Sequence, residues 1–498
     1  MGLRSVFSKP LAWYISRRTR IWAKNAIKHQ DQIFQNLIQT AKATEFGRKH
    51  GFEQIKTYSD FKEKVPVREY EGFREYIDLI LKGQQNILWP GKPIYLAKTS
   101  GTTSGAKYIP ITKDSIPNHI NSTRDALLNY IAETGNSDFL DRKLIFLSGS
   151  PTLESKAGIH LGRLSGIVNH HVPKVLRSNQ MPTNETNIIE DWETKVDKIV
   201  QETLSEDMSL ISGIPSWVQM YFDKLQAAKG GKTIKEIFPN FSLFIYGGVN
   251  YEPYRSKFEK SIGGKIDSIE LFPASEGFFA FQNSQLEKSL LLMTNSGILF
   301  EFIPADEYFN EKPTRLQLSE VKAGVNYALI ISSNAGLWAY SIGDTVKFNS
   351  LNPYKITVSG RIKHFTSAFG EHVIAEEVEA AMQSAINKYG GEIIEFHVAP
   401  QVNPTSGLPY HEWFIEFATL PNNLENFANF LDTSLQEKNI YYKDLISGNV
   451  LKKLKITITE KNSFINYMKS QGKLGGQNKL PRLANDRNLA DKLQIPNN

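Results

Sequence analysis

The sequence predicts an α/β fold in two parts. Residues 1–360 form a large N-terminal domain with β-sheets flanked by helices and an antiparallel or barrel-like subdomain, and residues 361–498 form a small, mobile α+β domain. Three observations predict this. At 498 residues the chain exceeds what one hydrophobic core usually serves, so unequal domains are expected. Short apolar runs alternate with segments of helical period through the middle of the chain, the pattern of strands interleaved with helices. After Gly360-Arg361 the pattern restarts with a charged helix and a second, shorter set of strands.

Residues 11–43 carry apolar side chains at helical period (Leu11, Ile15, Trp22, Ile33, Leu37 among them) with charges of both signs between. They predict an N-terminal helical layer packed on the core rather than docked on a membrane. Runs at 144–147, 243–246, 269–272 and 327–332 are predicted strands, and 217–228 is a predicted helix. Around 297–302 and 316–329 shorter strands separated by turns predict the antiparallel subdomain. The small domain follows a strand at 354–358. It is expected to contain a helix at 376–382, strands at 395–398, 413–417 and 454–459, and a helix at 424–435.

Composition is that of a globular enzyme, with 41% hydrophobic and 22% charged residues. A net charge of +6 is too small an excess to argue for nucleic acid, though it favours an anionic small-molecule ligand. The absence of cysteine removes disulfides, thiolate metal sites and thiol nucleophiles. The apolar run at 10–15 is too short for a signal-peptide core, Val6 stands where a myristoylation signal needs Ser or Thr, and no stretch is apolar enough to span a bilayer. The expectation is a cytoplasmic monomer acting on small molecules, with no nucleic-acid or membrane partner.

The sharpest local signal follows the strand that begins at Tyr95: Thr99-Ser100-Gly101-Thr102-Thr103-Ser104-Gly105-Ala106-Lys107. Hydroxyl and backbone donors on glycine-rich backbone, with one ammonium, suit a polyphosphate. Three residues separate the glycines and no Gly-Lys-Ser/Thr is present, so this is not a Walker loop.

That loop resembles the phosphate-binding signature of adenylate-forming enzymes: acyl-CoA synthetases, peptide-synthetase adenylation domains and luciferases. Its continuation Lys107-Tyr108-Ile109-Pro110-Ile111-Thr112, with the helical region before it, is similar to the Gretchen Hagen family of acyl-acid-amido synthetases, here a bacterial member. Two further motifs that the resemblance requires occur in order. Phe272-Pro273-Ala274-Ser275-Glu276 resembles the aromatic-x-Ser/Ala-Ser-Glu motif, which implies Phe272 on adenine and Glu276 as the Mg²⁺ ligand. Tyr340-Ser341-Ile342-Gly343-Asp344 resembles Tyr-x-x-Gly-Asp, which implies that Asp344 holds the ribose hydroxyls. Tyr246-Gly247-Gly248 resembles the turn lining the adenine site, Gly360-Arg361 the superfamily hinge, which implies Arg361 on the nucleotide, and Gly475-Gly476-Gln477-Asn478-Lys479-Leu480-Pro481-Arg482 the family's Gly-Gln-Tyr-Lys-x-Pro-Arg, with Asn478 in place of the aromatic.

The resemblance implies ATP and Mg²⁺, a carboxylic acid activated as acyl-adenylate, and transfer to an amine, an amino acid in the family's usual chemistry, to give an amide. Lys479 would reach the carboxylate and α-phosphate in the first step and be withdrawn by rotation about the hinge before the second. Arg163 and Trp217 are the expected acyl-pocket residues, from segments 158–163 and 214–217 together with 147–150. Glu371 is a candidate base for the amine, with a plain surface carboxylate as its competing reading. The same adenylation motifs would serve a coenzyme A or carrier-thioester ligase, and a non-catalytic binding protein on this fold is a further alternative. His170-His171 cannot chelate as adjacent residues, and neither Ser148-Gly149-Ser150 nor Ser212-Gly213 forms a Gly-x-Ser-x-Gly elbow, which disfavours zinc and serine hydrolases.

Overall fold

The computed structural model describes residues 2–99, 107–172, 177–248, 251–362, 365–366, 368–369, 371, 373–475 and 479–496. Contacts divide the chain into two compact units. The first is Met1–Gly213, Phe238–Gly248 and Ile266–Thr357; the second is Ile214–Ile237, Val249–Lys265 and Val358–Asn498.

The first unit is organised by a twelve-stranded sheet. Leu243–Gly247, Met208–Ser212, Lys143–Phe146, Gln180–Met181 and the start of Asp267–Ala274 pair in parallel. Met208–Ser212 and Leu243–Gly247 are buried along all but their last residue, as parallel strands covered on both faces are. At Asp267–Ala274 the sheet turns antiparallel, through Gly277–Gln282 and Leu290–Leu292 to Tyr354–Arg361, Tyr340–Leu351, Asn326–Ser333, Ile298–Pro304 and Leu316–Gln317. The expected antiparallel subdomain is thus a continuation of the main sheet, and among the described residues the strands at the two ends of this order are not paired with each other. A separate four-stranded sheet places Tyr95–Thr99 between Lys107–Ile111 and Ile159–Gly162, with Glu154–Lys156 at its edge.

The N-terminal layer is two helices, Leu3–Lys24 and Ala26–Ala41. Asp141 accepts from the backbone of Gly2 (2.6 Å) and Arg4 (3.2 Å), stabilising the positive end of the first helix. Ala12, Ile15, Trp22 and Ala23 then join a core with Ile131, Leu144, Ile245 and Phe281. On the second helix, the buried Gln30 amide donates to Thr294 and Ile298 carbonyls and accepts from Phe300 N, so a polar side chain buried against the sheet is fully satisfied.

In the second unit, helices Ala375–Tyr389 and Leu424–Lys438 pack with the three-stranded sheet Glu392–Gln401, Tyr410–Thr419 and Lys455–Ile458 around Phe396, Trp413, Ile415 and Leu431. This is the α+β arrangement expected from the sequence. The fold is mixed α/β with a large N-terminal and a smaller C-terminal domain.

Candidate functional site

Strands Tyr95–Thr99 and Lys107–Ile111 form an antiparallel pair whose last rung is Thr99 with Lys107. The loop residues Ser100, Gly101, Thr102, Thr103, Ser104 and Gly105 lie outside the described residues, but the rung fixes where both ends of the loop leave the sheet. The Lys107 ammonium stands 5.5 Å from the centre of the Tyr70 ring, and the Tyr70 hydroxyl accepts from Tyr108 N (2.9 Å). Two residues before Tyr70, Arg68 N donates to Ala339 O (3.0 Å) and Arg68 O accepts from Ser341 N (2.8 Å). One short segment therefore links the base of the glycine-rich loop to the Tyr340 motif.

Ser275 and Glu276 are the two-residue turn of a hairpin closed by Ala274 and Gly277. A β-carbon on Gly277 would stand 2.6 Å from Ile298 Cδ1, so only glycine follows Glu276 without displacing that side chain. The buried Asn118 amide accepts from Phe278 N (2.7 Å) and donates to Phe278 O (3.0 Å), pinning the strand two residues beyond Glu276. The Tyr340 hydroxyl donates to Glu276 Oε1 at 3.2 Å. Burial raises the Tyr340 hydroxyl well above the ordinary tyrosine value and the Glu276 carboxylate raises it further, so Tyr340 remains a proton-bearing donor.

Asp344 is not in a turn, as a Gly-Asp pair suggests. Ala328 faces Thr345 and Ile330 faces Ser341, so Ile342, Gly343 and Asp344 oppose a single partner residue as a bulge within strand Tyr340–Leu351, with Gly343 at φ 83°. Such a bulge re-aims a side chain without ending the strand. Gly247 closes its strand beside Leu271, whose carbonyl would stand 2.5 Å from a β-carbon there; Gly248 has φ 78°. Close strand approach thus requires the first glycine and a left-handed backbone the second. Phe272 is buried, with its ring edge-on to Phe279 at 5.2 Å.

Arg163 stands exposed at the head of helix Leu164–Asn169, its Cδ 3.0 Å from where a Gly149 β-carbon would be. Nearby, the buried Lys195 donates to Ser148 O (2.9 Å) and Asn187 O (2.7 Å); burial, and secondarily Arg163, lowers its ammonium to about 8. Trp217 falls in the second unit, buried on helix Pro215–Ala228.

Also in the second unit, Arg361 ends strand Tyr354–Arg361 in an exposed position. Lys479 is exposed, while Gly476, Gln477 and Asn478 lie outside the described residues. Three residues on, Arg482 is buried and bonded to Glu379 (3.0 Å), to Glu395 and to the Tyr254 hydroxyl, and its backbone is paired with Val398. Glu371 corrects both of its readings. It is fully buried, accepts from Phe369 N (2.9 Å) and faces His411 Nε2 at 2.8 Å, so it is neither a surface carboxylate nor open to an incoming amine.

Glu276, Tyr340, Tyr70 and Lys107 thus converge in the first unit, with a carboxylate, an ammonium and hydroxyls beside a glycine-rich loop. No group of three His, Asp or Glu side chains suited to a metal occurs among the described residues. A single carboxylate fits a Mg²⁺ ion carried by phosphates and water better than a resident ion caged by protein. Sequence reasoning missed Tyr70, Asn118 and Lys195, which belong to no motif and act from positions remote in the chain.

Three family models match: the GH3 family N-terminal domain over residues 17–191 and 154–266, the GH3 family central domain over 291–361, and the GH3 family C-terminal domain over 376–488. An indole-3-acetic acid-amido synthetase of Arabidopsis thaliana is 21% identical over 91% of this chain and 88% of its own length. Among solved structures, a GH3.15 acyl acid amido synthetase superposes with TM-score 0.76 at 18% identity, covering 95% of this chain and 94% of the other. A 2-hydroxyisobutyryl-CoA ligase in its postadenylation state superposes with TM-score 0.58 at 14% identity, covering 95% and 89%. The fold is therefore one shared with adenylate-forming ligases.

Proposed function

The chain belongs to the GH3 family, and from that premise we propose that it activates a carboxylic acid with ATP as an acyl-adenylate and transfers the acyl group to an amine, an amino acid by the family's chemistry, to form an amide. The observation that carries this reading is the 3.2 Å contact of Tyr340 with Glu276, which joins two motifs far apart in sequence near Tyr70, the ring that the Lys107 ammonium faces.

A carboxylate is a poor electrophile, so the first step needs preorganised positive charge and donors where two anions meet. Thr99, the loop to Gly105 and Lys107 are assigned to the phosphates; Glu276 to the magnesium that accompanies them; Phe272, Ala274, Ser275, Gly247 and Gly248 to the wall around adenine; and Asp344 to the ribose. Magnesium, when bound, neutralises phosphate charge. Tyr340, held protonated, orients the Glu276 carboxylate by donating to one of its oxygens. Lys479 is assigned to the reacting carboxylate and α-phosphate. Residues 361–498 are assigned as the lid that turns about Gly360-Arg361 to withdraw it, and Arg163 and Trp217 are assigned to the acyl group. In the second step the neutral amine displaces AMP, the new C–N bond forming as the acyl–phosphate C–O bond breaks and the nitrogen losing one proton to solvent.

The deciding experiment is a pyrophosphate-release screen over aryl, indolyl and fatty acids, each with amino acids, with coenzyme A and with neither. Amide product with an amino acid is the expected result. Thioester product with coenzyme A would replace the proposed acceptor, and no acid-dependent pyrophosphate at all would refute adenylation.

A further inference from the structure

Helix Leu3–Lys24 has two faces of different chemistry. Small and apolar residues from Ser5 to Ala23 face the core. On the solvent side, starting next to Trp22, Leu3, Phe7, Leu11, Tyr14 and Ile21 recur within an arc of about 80° at helical geometry, with Val6 and Trp13 beyond them, and all seven are 48–76% exposed. Single exposed apolar residues are ordinary, but a line of them on one helix is not.

The charge on this helix is all of one sign. It carries Arg4, Lys9, Arg17, Arg18, Arg20 and Lys24 and no acidic residue. These six cations equal the net charge of the whole chain, +6, so the remainder is formally neutral. The charges of both signs read from residues 11–43 separate in the structure, because Asp31 lies on the following helix, Ala26–Ala41. Arginines are interleaved with the exposed rings: the Arg17 guanidinium lies 5.8 Å from the Trp13 ring centre and that of Arg18 lies 5.7 Å from Tyr14.

We propose that helix Leu3–Lys24 is a docking surface for an anionic lipid bilayer, with its exposed apolar line set among the headgroups and its exposed cations Arg17, Arg18, Arg20 and Lys24 on lipid phosphate and carboxylate groups. Aromatic rings and arginine stems side by side suit the headgroup level, where one end of each side chain is apolar and the other wet. A second copy of the chain fits poorly, since it would set six cations against six. A folded acidic protein would need a groove to receive a convex ridge, whereas a bilayer deforms around one. The residues that hold the helix to the core are buried and distinct from the exposed line, so docking requires no unpacking. No helix among the described residues is long and apolar enough to cross a membrane, so this is reversible surface binding.

The test is co-sedimentation of the full chain with phosphatidylcholine vesicles and with vesicles containing about 30% phosphatidylserine. Binding to the anionic vesicles alone, weakened by salt, is expected. Arg17→Gln with Arg18→Gln should weaken it about 30-fold, from the attraction of each cation to an anionic surface. Phe7→Ser with Tyr14→Ser should weaken it at least about tenfold through lost apolar burial. Both variants should keep the parent's thermal midpoint, because these side chains are exposed. Absence of binding to anionic vesicles at low salt, equal binding by parent and variants, or a parent dimer that the Phe7 and Tyr14 changes convert to monomer would each overturn the proposal.

Discussion

Asp344 lies on a bulge whose strand is held by ladder bonds on either side, so loss of its carboxylate leaves the backbone where it is. Asp344→Ala is therefore expected to weaken nucleotide binding by about 2 to 4 kcal/mol, the scale of two hydrogen bonds to a charged acceptor, with little change in the thermal midpoint. Calorimetric titration with ATP checks this, and unchanged affinity would remove Asp344 from the ribose. His119 poses the reverse case, a group whose removal should be felt in stability alone. It is buried beside Asn118, and burial lowers its imidazole to about 4, against 6.5 for an unburied one. Between those values the unfolded chain binds the proton and the folded chain does not. Its contribution is therefore complete above pH about 6.5 and is lost as pH falls toward 4, to a limit of about 3 kcal/mol. His119→Gln should flatten this part of the pH dependence. Urea midpoints of parent and variant at pH 7 and 4.5 decide the matter, and parallel falls would show that another group carries the acid sensitivity.

Elements with a strong period or a continuous apolar run are legible in the amino-acid sequence itself. The run at 243–246 is strand Leu243–Gly247, the helix at 217–228 is Pro215–Ala228, and the strand at 413–417 is Tyr410–Thr419. What pattern does not supply is partnership. Nothing local in Asn118 announces that its amide clasps Phe278, 160 residues away, and nothing in Glu371 distinguishes a buried partner of His411 from a surface carboxylate. The Gly-Asp pair suggests a turn because glycine at positive φ suits both turns and bulges; the pairing of Ala328 and Ile330 settles which. Arg482 is the clearest instance in the smaller unit. Within the C-terminal motif it is one basic residue among many, yet its guanidinium ties strand Glu392–Gln401 and helix Ala375–Tyr389 to the segment carrying Lys479. Arg482→Met would leave Glu379 and Glu395 buried without their cation, which costs about 3 to 5 kcal/mol when one partner of a buried pair is removed. Chemical denaturation should report a loss of that size, and a change below about 1 kcal/mol would mean that water reaches the carboxylates.

The two chemical steps make opposite demands on one lysine, and this bears on how the whole chain works. Adenylation brings a carboxylate against the α-phosphate, so a cation there stabilises the transition state far more than the separate substrates. Aminolysis draws an amine toward an acyl carbon, where an ammonium at the same place would repel the partial positive charge growing on the attacking nitrogen. Lys479 is exposed, on a segment anchored three residues away by Arg482, and so is carried wherever that anchored body goes. If it acts in the first step alone, Lys479→Ala should reduce acid-dependent pyrophosphate release by about two orders of magnitude, the scale of losing one preorganised donor, with the KM for ATP little changed. The same variant supplied with chemically prepared acyl-adenylate and an amino acid should form amide at the parent rate. Equal loss in both steps would mean that the lysine stays in place throughout and that the proposed turn about Gly360-Arg361 does not separate them. No loss in either would return Lys479 to the solvated basic surface of the C-terminal stretch and leave charge stabilisation in adenylation to Lys107 and the glycine-rich loop.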